Sequence, residues 1–286
     1  MANILDIKRR IRSVTNTRQI TKAMKMVSAA KLRKAQDRVI ASRPYARILE
    51  NILANVAAAA SSDERVMSHP LLARREEKRI QLILMTADRG LAGAFNSNLI
   101  KGAQKLAADH PGAKLSYELV GRKGRDFYRR RDVPVSGEHI GVFNKVQLSD
   151  AAAIAQAAAK RFADGESDSV YLIYNEFKSV VAQKITLKKL LPITLPAHGH
   201  TIDYIYEEPP DQLLGSLLPK YVENAIFSAM LESVSSEHAA RMTAMDAATT
   251  NAADVIEKLT LYMNRVRQAS ITKEIIEIVS GAAALG

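Results

Sequence analysis

Residues 248–276 read ATTNAADVIEKLTLYMNRVRQASITKEII, and this stretch decides the fold. Apolar or small residues recur in it at alternating spacings of three and four, which is the period of a coiled coil. The residues of this stripe are Ala248, Ala252, Val255, Leu259, Tyr262, Val266, Ala269 and, after a polar interruption at Lys273, Ile276. The pattern predicts a helix whose apolar stripe packs against a partner helix.

The same helix is predicted to cover residues 209–286. Its first residues, Pro-Pro-Asp at 209–211, suit a helix entry, because proline fits a first turn and an early acid suits the positive end of the helix dipole. No glycine occurs between Gly215 and Gly281. A helix of this length spans roughly 110 Å. It needs a partner, because most helix stability comes from packing an apolar face.

The N-terminal segment 1–58 is predicted to be that partner. Its apolar stripe is interrupted by Pro44 and consists of Ile4, Ile7, Ile11, Val14, Ile20, Met24, Val27, Leu32, Ala35 and Val39. Both helices enter the middle region from the same end, so they should run antiparallel. The longer C-terminal helix should then protrude by about 25 Å. Because an apolar tip over 275–285 is unfavourable in water, we expect a socket in another protein to hold it.

The middle of the chain is predicted to form an α/β body, Rossmann-like and with a mainly parallel sheet, over residues 79–208, after a linker at 59–78. Strands are predicted at 79–86, 115–120, 169–177 and 183–191, with a short strand or loop at 132–140. Helices are predicted at 96–109, 121–130 and 148–163, the last capped by Ser149 or Asp150.

Positive charge is concentrated at the N-terminus. Of the formal net charge of +11, residues 1–50 contribute thirteen Lys and Arg against three acids, and ten basic residues with no acid lie between Lys8 and Gln36. A charge run is usually a solvated helix face. Here the missing acids favour an acidic partner, because such a helix repels itself. Nucleic acid and an acidic protein surface are both open at this point.

Composition narrows the functional classes. The chain has no cysteine, which excludes disulfides, thiolate metal sites and cysteine nucleophiles. It has no run of eighteen apolar residues, and its first residues lack the apolar core of a signal peptide, so we expect an intracellular protein, with attachment to a membrane complex left open.

Few residues point to an active site. The turn 87–93 follows a strand and precedes a helix, which is where phosphate-binding loops lie. It matches neither the G-x-G-x-x-G fingerprint nor the G-x-x-x-x-G-K-[ST] loop. His198 and His200 lack a visible third metal ligand, and His238 lies on the predicted long helix. We therefore expect no metal, no cofactor and no active site of its own.

Three stretches closely resemble the signatures of a known family. Residues 20–31 read ITKAMKMVSAAK, residues 88–91 read DRGL, and residues 267–272 read RQASIT, followed by EIVSGA at 277–282. In this order, and over the full length, they resemble the gamma subunit of F-type ATP synthases. That resemblance implies a central rotating stalk that couples proton flow to ATP synthesis.

The resemblance also implies partners. The coil would lie inside a hexamer of alpha and beta subunits that bind and make ATP, with its tip in an apolar bearing. The foot would stand on the ring of c subunits beside the epsilon subunit, and an inhibitor protein is a possible further partner.

By position, the resemblance assigns roles to particular residues. Those implied to contact the alpha/beta head are Met24, Lys25, Arg89, Arg241, Arg267, Gln268 and Thr272. Each could instead be an ordinary coil surface residue, and Met24 could pack in the coil core. Tyr204 and Glu207 match the segment that faces the c ring.

Departures from the family pattern limit what is implied. Ala92 stands where many relatives carry cysteine, and the cysteine-containing regulatory insert of chloroplast forms is missing, which excludes thiol switching. A start without a presequence favours a bacterial protein, peripheral on the cytoplasmic face of the inner membrane.

Two rival functions remain to be compared. A basic coiled coil that binds nucleic acid would show steeply salt-dependent binding, although residues 1–43 offer no aromatic ring for stacking on bases. A phosphate-binding α/β enzyme would bind nucleotide at its middle domain.

Overall fold

The computed structural model describes residues 4–59, 69–194 and 209–283. The elements in chain order are α1 (Ile4–Ala59), β1 (Arg79–Met85), α2 (Phe95–Asp109), β2 (Lys114–Val120), α3 (Arg122–Tyr128), β3 (Val135–His139), α4 (Leu148–Ala163), β4 (Ser169–Phe177), β5 (Gln183–Leu191) and α5 (Pro210–Ala283). Two short 3-10 turns lie at Pro70–Leu72 and Val142–Asn144. The predicted fold class, an α/β body with two long terminal helices, is confirmed.

The five strands form one sheet in the order β3-β2-β1-β4-β5. The first four run parallel, because helical crossovers connect them. β5 pairs antiparallel with β4, to which a short loop joins it. Six of the seven residues of β1 are buried. This agrees with its continuous apolar sequence, which is typical of a parallel strand covered on both faces.

Successive strand residues point to opposite faces, so the sheet separates two apolar clusters. On one face, side chains such as Leu82 and Leu84 pack with α2 residues that include Leu99. On the other face, Ile83 and Met85 pack with Phe162 of α4 and with both long helices. The residues that the long helices contribute to this second cluster are Val39, Leu53, Val56, Leu214, Leu218, Val222, Ile226, Ala229, Met230 and Leu231.

By contacts, the chain divides into two compact units, Met1–Ser28 with Met242–Gly286 and Ala29–Arg241. Each long helix contributes residues to both units. In the first unit, the described residues 4–28 and 242–283 form a helix pair. The second contains the α/β body with the remaining part of each long helix.

The buried seam of α1 differs in phase from the predicted stripe. Ile20 and Val27 are 60% and 56% exposed, whereas Thr21 and Ser28 are buried. The helix keeps one face inward at 3.6 residues per turn, and this face reaches the small polar residues rather than their larger apolar neighbours. The expectation that Ile20 and Val27 continue the seam is therefore wrong.

The same correction applies to α5. Val255 and Tyr262 are 42% and 44% exposed, whereas Ala252 and Met245 are buried. Ala269 and Ile276 of the predicted stripe are also exposed, while Ala248, Leu259 and Val266 are half-buried as expected. The three-four period was correct, but alternate members of the stripe lie one position away from the seam.

A smaller correction concerns the start of α4. The helix begins at Leu148, and the carboxylate of Asp150 accepts a hydrogen bond from the Gln147 backbone N–H at 3.2 Å. Asp150 is therefore the third helical residue and satisfies the capping residue's own N–H. The N-cap is Gln147, not Ser149 or Asp150.

Gly121, between β2 and α3, gives a test of the fold. Its φ is 95°, and an added Cβ would lie 1.9 Å from the carbonyl oxygen of Thr86. We expect Gly121→Ala to lower the free energy of unfolding by about 3 kcal/mol, measured by denaturant titration, because strain and overlap with backbone add.

Gly112→Ala is the matched control, since nothing lies within 4 Å of its added Cβ and its φ is not positive. Its unfolding should match that of the unsubstituted chain within about 0.5 kcal/mol. Equal stability of the two variants would contradict the role given to Gly121.

Candidate partner-binding surfaces

The first unit is an antiparallel helix pair joined by polar contacts. The Thr249 hydroxyl donates to the Thr21 hydroxyl at 2.8 Å, and Lys25 Nζ lies 2.6 Å from Asp246 Oδ1. Residue numbers rise along α1 as they fall along α5, which fixes the antiparallel direction. The small Thr side chains fit a seam in which two helices approach closely.

The outer face of α1 in this unit is strongly basic. Residues 1–28 contain seven Lys and Arg and one acid, Asp6. Two of the seven cations form ion pairs: Arg9 lies 3.6 Å from Asp6, and Lys25 pairs with Asp246 of α5. Within the described residues, no ion pair involves Arg10, Arg12 or Lys22. This surface is therefore complementary to an acidic partner.

The distal part of α5 presents an exposed apolar surface. All described side chains from 271 to 283 are exposed. Those that are large and apolar are Ile271, Ile275, Ile276, Ile278 and Val279. Successive exposed apolar side chains of this size mark an interaction surface. The expected tip is exposed over the described residues.

The residues implied as head contacts differ in exposure. Arg267, Gln268 and Thr272 are exposed on α5, and Met24 is half-buried on α1. Lys25 is also half-buried, and its ammonium pairs with Asp246. Their contacts with other chains stay predictions.

Arg89 is exposed in the turn 88–91 after β1. The neighbouring residue Asp88 is held in place by hydrogen bonds within the chain. The Asp88 carboxylate accepts hydrogen bonds from the backbone N–H of Arg122 at 3.0 Å and of Gly141 at 3.1 Å. Leu91 has a φ of 62° and an exposed side chain. The turn therefore presents Arg89 and Leu91 from a constrained backbone.

The same contacts bear on anion binding at the start of α3. The phosphate hypothesis for the turn 87–93 concerns the start of α2 and stays a prediction. A helix N-terminus binds anions because its first N–H groups are free. At the start of α3, the Arg122 N–H is taken by Asp88, and the Gly124 N–H donates to the Thr86 hydroxyl at 2.8 Å. An internal carboxylate therefore occupies the place that a phosphate would need.

Arg241 lies in the interior of the second unit, unlike the other implied contacts on α5. Its Nη2 lies 2.6 Å from Glu237 Oε1 and 3.2 Å from the Gly90 carbonyl oxygen. Its Nε lies 3.4 Å from the same carbonyl. Its predicted role at the head is not tested by these contacts. Sequence reasoning missed Glu237 and Asp88, although the four-residue spacing of Glu237 and Arg241 on a helix was a readable signal.

His238 is half-buried beside this pair, with its Nδ1 3.3 Å from Arg241 Nη1. Burial lowers its pKa to about 4, and the positive charges of Arg241 and Lys31 act in the same direction. Burial also raises the pKa of Glu237, against the opposing effect of Arg241. The ring is thus held neutral near pH 7.

Some predicted sites cannot be placed. Tyr204, Glu207, His198 and His200 lie outside the described residues. The described residues contain no group of three or more His, Asp or Glu arranged to hold a metal ion. In the described parts of the chain, no helix combines the length and apolar character needed to cross a membrane.

A helix pair with exposed basic and apolar surfaces, joined in one chain to an α/β body, defines a structural subunit of a larger assembly. A family model described as ATP synthase matches residues 3–285. The chain is 64% identical over 284 residues, 99% of both sequences, to the ATP synthase gamma chain of Solibacter usitatus. It is 49% identical to that of Pelotomaculum thermopropionicum over the whole of both sequences. The chain belongs to the ATP synthase gamma chain family.

Solved structures agree with this assignment. The chain resembles one chain of the central stalk and c-ring structure of Tetrahymena thermophila mitochondrial ATP synthase, with a TM-score of 0.63 and 26% identity, over 80% of this chain and 99% of that one. A chain of the Euglena gracilis enzyme shares the fold, with a TM-score of 0.69 at 19% identity, over 99% and 94% of the two chains. These relatives give no support to the nucleic-acid-binding alternative.

The pKa of His238 predicts how stability depends on pH. Because the folded-state pKa is lowered from 6.5 to about 4, the contribution of the neutral ring is complete above pH 6.5 and is lost as pH falls towards 4. We expect His238→Gln to remove about 1–2 kcal/mol of this acid-induced loss, a value reduced for solvent screening.

The measurement is urea unfolding of both chains at several pH values across that window. The stability of the unsubstituted chain should fall more steeply than that of the variant as the pH decreases from 6.5 towards 4. Parallel curves would show that His238 titrates alike in the folded and unfolded chains.

Proposed function

We propose that this chain is the central rotating stalk of a bacterial F-type ATP synthase. It couples proton flow through a membrane ring of c subunits to ATP synthesis and hydrolysis in a head of alpha and beta subunits. The observation that carries the proposal is a coil with uncompensated basic and apolar surfaces, in a chain 64% identical over nearly its whole length to an ATP synthase gamma chain. The catalytic sites belong to the alpha and beta chains.

The coupling mechanism follows from asymmetry. A single helix pair has no threefold symmetry, so each of three chemically identical sites around it meets a different face. Rotation then changes the relative free energies of open and closed states at each site, which is a population shift. Each elementary charge that crosses 100 mV supplies about 2.3 kcal/mol. The free energy of several such crossings must be transmitted through the stalk.

Particular surfaces support particular contacts. We assign the basic face of α1, with Met24 and Lys25, to acidic loops of the beta subunits. Arg89 and the exposed Arg267, Gln268 and Thr272 are assigned to moving loops of the head, and the apolar surface over 271–283 to its bearing. Favourable charge complementarity and removal of apolar surface from water support these assignments.

The foot is assigned to the α/β body. We place the shaft at residues 1–58 and 209–286, the linker at 59–78 and the foot at 79–208. Tyr204 and Glu207 would face the c ring, with the epsilon subunit alongside. The bacterial relatives favour a peripheral position on the cytoplasmic face of the inner membrane.

Purification of the tagged chain from its native membranes tests the proposal. Alpha and beta subunits should co-purify with it, and the preparation should hydrolyse ATP. Recovery of a stable monomer that ignores both subunits would overturn the assignment.

A substitution on the exposed surface tests the residue assignment. We expect Arg267→Ala to lower ATP synthesis in membrane vesicles roughly tenfold, the equivalent of one charge-assisted hydrogen bond, with assembly intact. Lys101→Ala, which removes an exposed cation from α2, is the control and should synthesise ATP at the normal rate. If both variants behaved alike, Arg267 would be an ordinary surface residue.

A further inference from the structure

The Glu237–Arg241 ion pair is unusual for its burial. Both side chains are 10% exposed, whereas the Lys273–Glu277 pair, with the same spacing on the same helix, is 57% and 63% exposed. Removing two charges from water costs free energy that their attraction does not always recover, so a buried pair is weak evidence for stability alone. Its contacts point to another role.

Arg241 connects α5 to the turn that follows β1, the central strand of the sheet. Two of its nitrogens, Nε and Nη2, lie within 3.4 Å of one acceptor, the Gly90 carbonyl oxygen. Gly90 follows β1 in the turn that Asp88 fastens to α3 and to Gly141. The guanidinium therefore holds a carbonyl whose own position is fixed by the α/β body.

A second contact lies one turn earlier on α5. The buried Ser236 hydroxyl donates to the Asn175 carbonyl oxygen of β4 at 3.0 Å. β1 and β4 are neighbours, and they lie where successive parallel strands are added on opposite sides of the sheet. In doubly wound sheets, the crevice at this position usually takes a ligand. Here α5 contacts the turn that follows β1, at Gly90, and the C-terminal part of β4, at Asn175, instead.

We propose that Glu237 is a positioning residue that holds Arg241 on the Gly90 carbonyl, and that these groups with Ser236 clamp α5 to the α/β body. The proposal rests on the proposed function, since the clamp matters for torque passing between foot and shaft helix. Apolar packing is non-directional and permits small rotations of a helix. Hydrogen bonds to the turn after β1 and to β4 fix the rotation of α5 about its axis.

The clamp also gives Arg241 a role that differs from a head contact. The guanidinium has its donors directed at Glu237, Gly90 and the neutral His238 ring, whose Nδ1 lies 3.3 Å from Nη1. Binding a carboxylate of another subunit would require these contacts to break. Arg241 would therefore influence coupling from within the chain.

The test uses the intact membrane complex carrying Glu237→Gln, Arg241→Met or both substitutions. The double variant removes both charges together, so it leaves no unpaired buried charge and keeps the complex assembled. Glu223→Gln is the matched control, the same change on the same helix. Among the described residues, its carboxylate accepts a hydrogen bond from Gln156 at 3.3 Å. For each variant, proton pumping and ATP hydrolysis are measured in the same vesicles.

The clamp predicts that protons pumped per ATP hydrolysed fall severalfold in both single variants, and that the double variant is no worse than either. Such non-additivity is expected of two residues that act as one unit. Arg241→Lys should also lose coupling, because one ammonium cannot replace the fork that reaches Gly90 and Glu237. The control should keep normal coupling.

Normal coupling in Glu237→Gln, or additive losses in the double variant, would overturn the clamp and favour a direct head contact by Arg241. Failure of all variants and of the unsubstituted chain to assemble with alpha and beta subunits would instead overturn the proposed function. The two failures are therefore distinguishable.

Discussion

Burial of the inner halves of both long helices against one face of the sheet is the constraint on which the structure depends. Val39 and Leu53 of α1 and Leu218 and Ile226 of α5 share one apolar cluster with Phe162 and the sheet. Each helix alone would be marginal in water, because helix stability comes mainly from packing. The sheet supplies that packing, and it brings together two segments separated by more than 150 residues of sequence.

Much of this arrangement could be predicted from the sequence, because the period of apolar residues reports secondary structure directly. β4, β5 and α4 begin and end at the predicted residues. Which residues of the coil face the seam was harder to predict. Thr21 and Ser28 form the seam while Ile20 and Val27 beside them do not, because close approach favours small side chains over apolar ones. A ranking by hydrophobicity cannot recognise that preference.

Polar contacts between elements distant in sequence were the hardest features to predict. Glu118 is almost fully buried, and its carboxylate accepts hydrogen bonds from Arg161 and, at 3.1 Å, from Gln81. Glu118 and these two partners lie on three different elements, β2, α4 and β1, so no local pattern connects them. The candidate surfaces were predicted better, since a run of cations without acids is visible in the sequence. The sequence did not indicate that the Arg241 side chain is buried.

The two units differ in how far their polar groups are paired within the chain. The second unit pairs several of its polar groups internally; the Asp88 carboxylate, for example, accepts a hydrogen bond from the Arg122 N–H at the start of α3. The first unit leaves cations and large apolar side chains exposed. A self-sufficient protein gains nothing from such a surface. When partner subunits cover such a surface, the free energy of the assembly is lowered. For rotation to continue, no single position of the partners can be much more favourable than the others. The surface must therefore be broad and moderately attractive, which exposed Lys, Arg and Ile side chains on one helix pair provide.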